Sequence, residues 1–267
     1  VNTVPKLRVT IDTNVCDILH EPDKSPELMI PDDARRLRQA IADGTILAFA
    51  AEATLFVECL AFKDKLAYLA VAGTPDPRPS PDPRAVDRFR DLNALGVKIL
   101  HAPLMAGEVF IHGLEYADDT VFTTEERRAR FGEFTRRYPG RHPIASLGLQ
   151  LLSKQPPLPA TRQTGTSPNS VHFELRQDWA VALQREWNNP ITLSQKALRK
   201  QAGTLIGEWC DTLIVGAHYG YGNDFFCTTD EGRGAGSNSI LFHQNRSRLA
   251  SEGIVVTSPA ELVGKIG

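Results

Sequence analysis

Four carboxylates in this chain stand where structure alone explains them poorly: Asp12, Glu58, Asp211 and Asp230. Asp12 follows an alternating, β-rich run of Leu7, Val9 and Ile11. It therefore sits just past a strand, where open parallel sheets place ligands. Capping a helix or starting a turn accounts for it equally well. Glu58 comes three residues after Leu55 and four before Phe62, so helical periodicity aims it at the buried half of a helix whose apolar stripe is Leu55, Cys59 and Phe62. Burying a carboxylate there costs several kcal/mol unless a cation or hydrogen-bond donors meet it. Asp211 shares a face with Ile214, Val215 and His218 in an apolar helix over 205–219, and the nearest bases in sequence, Lys196, Arg199 and Lys200, lie almost three turns away or more. Asp230 follows Phe226-Cys227-Thr228-Thr229, again at the C-terminal end of a buried strand. Glu52, by contrast, is explained as an acid near a helix start, where the helix dipole favours it.

In a parallel sheet Asp12 and Asp230 emerge at one edge, flanked by the helices carrying Glu58 and Asp211. Four carboxylates there repel one another at neutral pH, and a hard divalent cation is the economical remedy. Oxygen donors without cysteine or histidine pairs favour Mg²⁺ or Mn²⁺ over Zn²⁺. No convincing Ser/His/Asp or Cys/His constellation is present, so water activated by metal is the simplest hydrolytic scheme. In it Asp12 would bridge or anchor the principal ion, Asp211 and Asp230 would complete its shell, and Glu58 would orient the attacking water or hold a second ion.

The elements that must position these acids read as a three-layer α/β fold with a central parallel sheet. Strands are expected over 6–11, 45–50, 97–100, 225–229 and 253–257, and helices over 32–43, 52–72, 84–95 and 205–219. Pro75, Pro77, Pro79, Pro81 and Pro83 make an extended connector. From Met105 to Thr204 the pattern loosens into helical pieces, so the expected organisation is a discontinuous domain, 1–104 and 205–267, with a mainly helical insertion over 105–204.

The segments Ile11-Asp12-Thr13-Asn14-Val15, Phe56-Val57-Glu58-Cys59-Leu60, Asp211-Thr-Leu-Ile-Val-Gly-Ala-His218, Phe226-Cys-Thr-Thr-Asp230 and Gly253-Ile-Val-Val-Thr-Ser-Pro-Ala-Glu-Leu262, in this order, resemble the PIN-domain nucleases. The resemblance covers roughly 6–104 and 205–264 and extends to the toxins of toxin–antitoxin pairs. It implies four acids, Asp12, Glu58, Asp211 and Asp230, around one or two Mg²⁺ or Mn²⁺ ions, with Asn14 and Thr228 as supporting polar residues. It also implies hydrolysis of RNA phosphodiesters to a 5′-phosphate and a 3′-hydroxyl. The long insertion, the second acid Asp224 and the glycine-rich Glu231–Ser239 depart from the pattern. Asp224 is a candidate to share or replace the part of Asp230, and the glycine-rich run reads as a flexible loop.

The 267 residues carry 30 Lys/Arg against 32 Asp/Glu, a formal charge of −2, so no whole-chain field marks a nucleic-acid binder. The insertion, however, holds thirteen bases and ten acids. Within it Arg127, Arg128, Arg130, Arg136, Arg137 and Arg141 interleave with Phe131, Phe134 and Tyr138, a pattern that suits phosphate pairing and base stacking. A solvated basic helix face with its aromatics turned inward explains the same residues. His218 reads as a satisfied core histidine, and Cys16, Cys59, Cys210 and Cys227 as buried free thiols. No apolar run reaches the roughly 20 residues of a membrane span, so the expectation is a cytoplasmic protein with no membrane partner. The expected function is a Mg²⁺- or Mn²⁺-dependent endoribonuclease, a toxin or an RNA-processing enzyme, acting on RNA and associating with an antitoxin, another protein or a second copy of itself. A DNA or structure-specific nuclease of the same fold and a catalytically silent binding module are the alternatives. An aspartyl phosphatase fits less well, because it needs an acid where Asn14 stands.

Overall fold

The computed structural model describes residues 6–24, 31–55, 83–101, 113–117, 121–138, 193–234 and 236–266; for 193–206 and Asn238 it describes the backbone alone. Five parallel strands form the centre: β1 (Leu7–Ile11), β2 (Ile46–Ala51), β3 (Lys98–Leu100), β4 (Phe225–Cys227) and β5 (Val255–Thr257), in the order β3-β2-β1-β4-β5. Parallel strands need covered crossovers, and the helices supply the cover. They are α1 (Thr13–His20), α2 (Pro31–Ala42), α3 (Pro83–Leu95), α4 (Thr124–Arg137), α5 (Leu193–Tyr221), α6 (His243–Ser251) and α7 (Pro259–Ile266). The expected α/β class with a central parallel sheet is what the structure shows.

Two faces follow from the register. Thr10 pairs with Phe49 on one side and Phe226 on the other. That row looks toward α5, whose His218 places Nδ1 3.0 Å from Thr10 Oγ1 and lies edge-on to Phe226. Phe225, one residue out of phase, lies on the opposite face beneath Lys265 of α7. There α7 packs on α2, and α1 packs on α2 and α3. Val9, Ile11, Phe49, Ala50, Ile99 and Phe226 are at most 2% exposed, as central strands covered on both faces require.

Helix α5 runs against the strands. Its C-terminal end is tied low on β1, where Asn223 donates to Thr10 Oγ1 at 2.8 Å and accepts from Arg8 Nε at 3.1 Å. Seven residues earlier along α5, Asp211 stands about 10 Å further up the helix axis than His218. Asp12 stands about 7 Å above Thr10 along the strand. Both therefore reach the C-terminal edge of the sheet.

The expected boundary at 204/205 falls inside α5, a single helix of 29 residues. Helix α4, expected as part of a separate insertion, packs directly on it. A Cβ on Gly216 would lie 3.1 Å from the Phe131 ring, and one on Gly220 would lie 3.3 Å from the Arg127 carbonyl. Phe131, Phe134 and Tyr138 belong to the same hydrophobic core as the sheet. Helices α1, α6 and α7 were not expected, and the helix expected over 52–72 is described only to Leu55. The proline connector lies outside the described residues apart from Pro83, which opens α3. Among the described residues no helix is long and apolar enough to cross a membrane.

His218 is fully buried, and desolvation lowers its pKa to about 3. The unfolded imidazole protonates near 6.5, so stability is complete above that pH and is lost as pH falls toward the folded value. Between pH 6.5 and pH 5 the loss from this residue amounts to about 2 kcal/mol. Urea titrations at pH 7 and pH 5 will show a drop larger by about that amount in the wild type than in His218→Gln.

Candidate functional site

With β2 and β3 on one side of β1 and β4 and β5 on the other, the strand order reverses between β1 and β4. At such a switch point the loops part above the carboxyl ends of the strands and leave a crevice. Asp12 stands in it. Its N–H extends the ladder to the Cys227 carbonyl at 3.0 Å, and its side chain caps α1 by accepting from Thr13 N at 2.7 Å. The alternative capping role is thus real, and it places the carboxylate at the crevice.

The other carboxylate oxygen accepts from Thr228 Oγ1 at 2.6 Å and from Asn14 Nδ2 at 3.1 Å. Asn14 in turn accepts from Thr229 N at 3.1 Å, and Thr228 Oγ1 accepts from Asp230 N at 2.9 Å. Asn14 and Thr228 therefore support Asp12 and join the β1–α1 turn to the end of β4. Asp12 is 3% exposed. Burial raises its pKa, the hydrogen bonds from Thr228, Thr13 and Asn14 oppose that, and the neighbouring charge of Asp230 adds to it.

Asp230 is partly buried, and one of its carboxylate oxygens accepts from Gly232 N at 2.7 Å. A third acid, Glu208, joins them electrostatically from α5. It accepts from Ile240 N at 3.2 Å, and burial raises its pKa against hydrogen bonds from Ser239 and Ile240, with Asp230 again adding. Asp211, one turn on from Glu208, is partly exposed. Glu58 lies outside the described residues, as do Arg141 and Cys59.

Asp224 is not part of this group. It precedes β4, so it stands at the opposite edge of the sheet, where its carboxylate accepts from Arg8 N at 2.8 Å. The length of β4 separates it from Asp230, and it cannot take that residue's part. The glycine-rich run is not a loose loop either. Gly236 N donates to Gly232 O, and residues Gly236–Asn238 form a 3₁₀ turn.

A hard cation suits the donors in type. A carboxylate offers about four lone-pair positions, and three of those on Asp12 are occupied by hydrogen bonds. One remains, beside a second acid of like charge. Among the described residues no three acidic, histidine or cysteine side chains converge closely enough to hold a metal ion. Glu58 is not among those residues.

The arginines of α4 are largely occupied within the protein. Arg127 donates to Phe122 O and Thr124 Oγ1 and lies over the Tyr221 ring. Arg130 donates twice to Tyr219 O, and Arg137 pairs with Glu133 and Glu252. Arg128 and Arg136 are exposed, while Phe131, Phe134 and Tyr138 turn inward. Those three rings are packing groups.

Two further features escape the sequence reading. Glu208 carries the same signal as Asp211, an acid on a largely apolar helix three residues away on the same side. Glu52 does stand at the start of the helical turn after β2, but it is 1% exposed and pairs with His101 Nδ1 at 3.2 Å, which the dipole reading does not include. His101, at the end of β3, also stacks on Tyr116. Compared with protein-family models, curated proteins and solved structures, the chain finds no significant match.

Because its pKa is raised, ionised Asp12 opposes folding as pH rises through the folded value. Asp12→Asn is expected to raise the melting temperature at pH 7, with the gain vanishing toward pH 4. Thr228→Val, which removes a buried donor from a carboxylate, is expected to lower stability by about 1–3 kcal/mol. Calorimetry of both variants across that pH range checks the pair.

Proposed function

We propose that this protein is a Mg²⁺- or Mn²⁺-dependent nuclease that hydrolyses RNA phosphodiester bonds internally, acting in the cytoplasm as a toxin or an RNA-processing enzyme. The reading is carried by one observation: a buried carboxylate, Asp12, is held by three donors at the switch point of a parallel sheet with Asp230 beside it. A fold does not need a charge there, and it keeps one at a cost in desolvation. The PIN-like order of motifs supplies the substrate class.

Asp12 and Asp230 would hold the cation, with Asp211 and Glu58 as further oxygen donors. The ion supplies charge neutralisation at a phosphoryl group and activation of water. Thr228 and Asn14 fix the direction of the Asp12 carboxylate, so that no rotation is needed when the substrate arrives. The backbone of Thr229 and Asp230, hydrogen-bonded to the same two side chains, keeps the second acid in place. Arg128 and Arg136 are exposed on α4, Arg136 also donating to Gly132 O, and they would meet the phosphate backbone from that side. An antitoxin, another protein or a second copy of the chain belongs to the same proposal.

Incubation with RNA and DNA of matched sequence in Mn²⁺, with and without EDTA, tests the reading. RNA is expected to be cut to 5′-phosphate ends, and EDTA is expected to stop the reaction. Asp12→Asn should lower the rate by more than ~100-fold, beyond what outer-shell substitutions cost. Cleavage that survives EDTA, or a fully active Asp12→Asn enzyme, would overturn it. Preferential cutting of DNA would reassign the substrate.

A further inference from the structure

We infer that Glu208 is a positioning residue: it seats the loop from Asp230 to Phe242 against α5 and so holds Asp230 beside Asp12. The inference rests on the nuclease reading for its effect on metal binding, but not for its effect on the loop.

The loop is a closed unit. Asp230 accepts from Gly232 N, Gly236 N donates to Gly232 O, and Ser239 N donates to Gly236 O at 2.9 Å. Leu241 N donates to Ser239 Oγ, and Phe242 N donates to Ser239 O. Its two ends touch at Gly232, where φ is +67° and a Cβ would lie 2.5 Å from Phe242 N and 2.7 Å from Ser239 Oγ. From the far side Arg246 of α6 donates to Asp230 O at 3.0 Å and to Leu241 O at 3.3 Å.

Glu208 fastens this unit to the helix. It is 9% exposed, and its carboxylate receives Ile240 N and the Ser239 hydroxyl, while Ser239 and Leu241 are fully buried. A buried N–H must keep an acceptor. Glu208 provides one that no neighbouring carbonyl replaces among the described residues. Asp230 is thus held on its own backbone by Thr228, which accepts its N–H, and by Arg246, which donates to its carbonyl; Asn14 holds the preceding Thr229 N–H, and Glu208 holds the chain that follows. A role confined to folding would leave the affinity of the folded site unchanged when Glu208 is lost. A positioning role would not.

Hydrogen exchange and Mn²⁺ titration on the full chain separate the two. In Glu208→Ala the Ile240 amide and its loop neighbours are expected to exchange at least ten times faster at unchanged exchange of the β1 amides. Mn²⁺ affinity is expected to fall 10–100-fold, as for other outer-shell losses. Glu208→Gln keeps an oxygen for Ile240 N and should restore both. Unchanged exchange in Glu208→Ala, or faster exchange with unchanged Mn²⁺ affinity, would overturn the inference. So would Glu208→Gln losing as much as Glu208→Ala, which would mean that the charge matters and the hydrogen bond does not. Should Glu208→Ala fail to fold, Ser239→Ala removes the second hydrogen bond and is expected to loosen the same amides. If wild-type protein binds no Mn²⁺, the nuclease reading fails and the exchange arm alone decides whether Glu208 seats the loop.

Discussion

The contact between Asp12 and Thr228 joins the two halves of this fold. One residue ends the first strand and caps the first helix, and the other follows β4, 216 positions later in the chain. A short hydrogen bond between a buried carboxylate and a buried hydroxyl is strong because little water competes for either partner. It closes the sheet at the place where strand order reverses, so the crevice has fixed walls. Asn14 doubles the connection by bonding to both partners and to Thr229 N. A single turn of helix thereby organises two carboxylates from opposite ends of the sequence.

A second polar row, lower in the same layer, sets the height of α5. Thr10, His218, Asn223 and Arg8 form a chain of hydrogen bonds between β1 and the C-terminal end of that helix. Apolar packing alone leaves a long helix free to slide by a turn against a sheet face such as that of Phe49 and Phe226. Specific donors and acceptors remove that freedom, because a slip would leave them buried and unpaired. The register of α5 then decides how far Glu208 and Asp211 stand above the strands. Electrostatics at the crevice are, in this sense, set by contacts some 10 Å below it.

Much of the frame is legible in the residues. The alternation of Leu7, Val9 and Ile11 and the apolar runs at 46–51 and 225–227 mark strands, and Gly44 and Gly96, both at positive φ, mark helix ends. Asp12, Asp211 and Asp230 stand out because each is costly where periodicity places it. Asp224 misleads for the opposite reason: sequence proximity to Asp230 says nothing of which end of β4 it occupies. Helix α4 is legible only as a pair of alternatives. Its arginines and aromatics read equally as a binding stripe or as a solvated basic face with the rings turned inward, and the rings do turn inward: Gly216 on α5 makes room for Phe131 and Phe134, and Gly220 for the α4 backbone at Arg127. Such a pairing of two glycines with a distant helix has no local signature. Glu52 and His101 fail to show for the same reason, since each is ordinary until β2 and β3 are laid side by side.

The acids at the crevice oppose the stability of the fold. Asp12, Glu208 and Asp230 are like charges brought together in a partly dehydrated space, and the pKa values of the first two rise in consequence. The surrounding donors, Thr13, Asn14, Thr228, Ser239 and Ile240, compensate only in part, because burial remains the largest effect on each of the two. A sequence selected for stability alone would place asparagine or serine at position 12, since either caps a helix as well as aspartate does. The charge is kept at the one place where parallel strands part to admit a ligand, and a ligand of opposite charge is what would repay it. In the function proposed above that ligand is a hard cation, which oxygen donors suit in type.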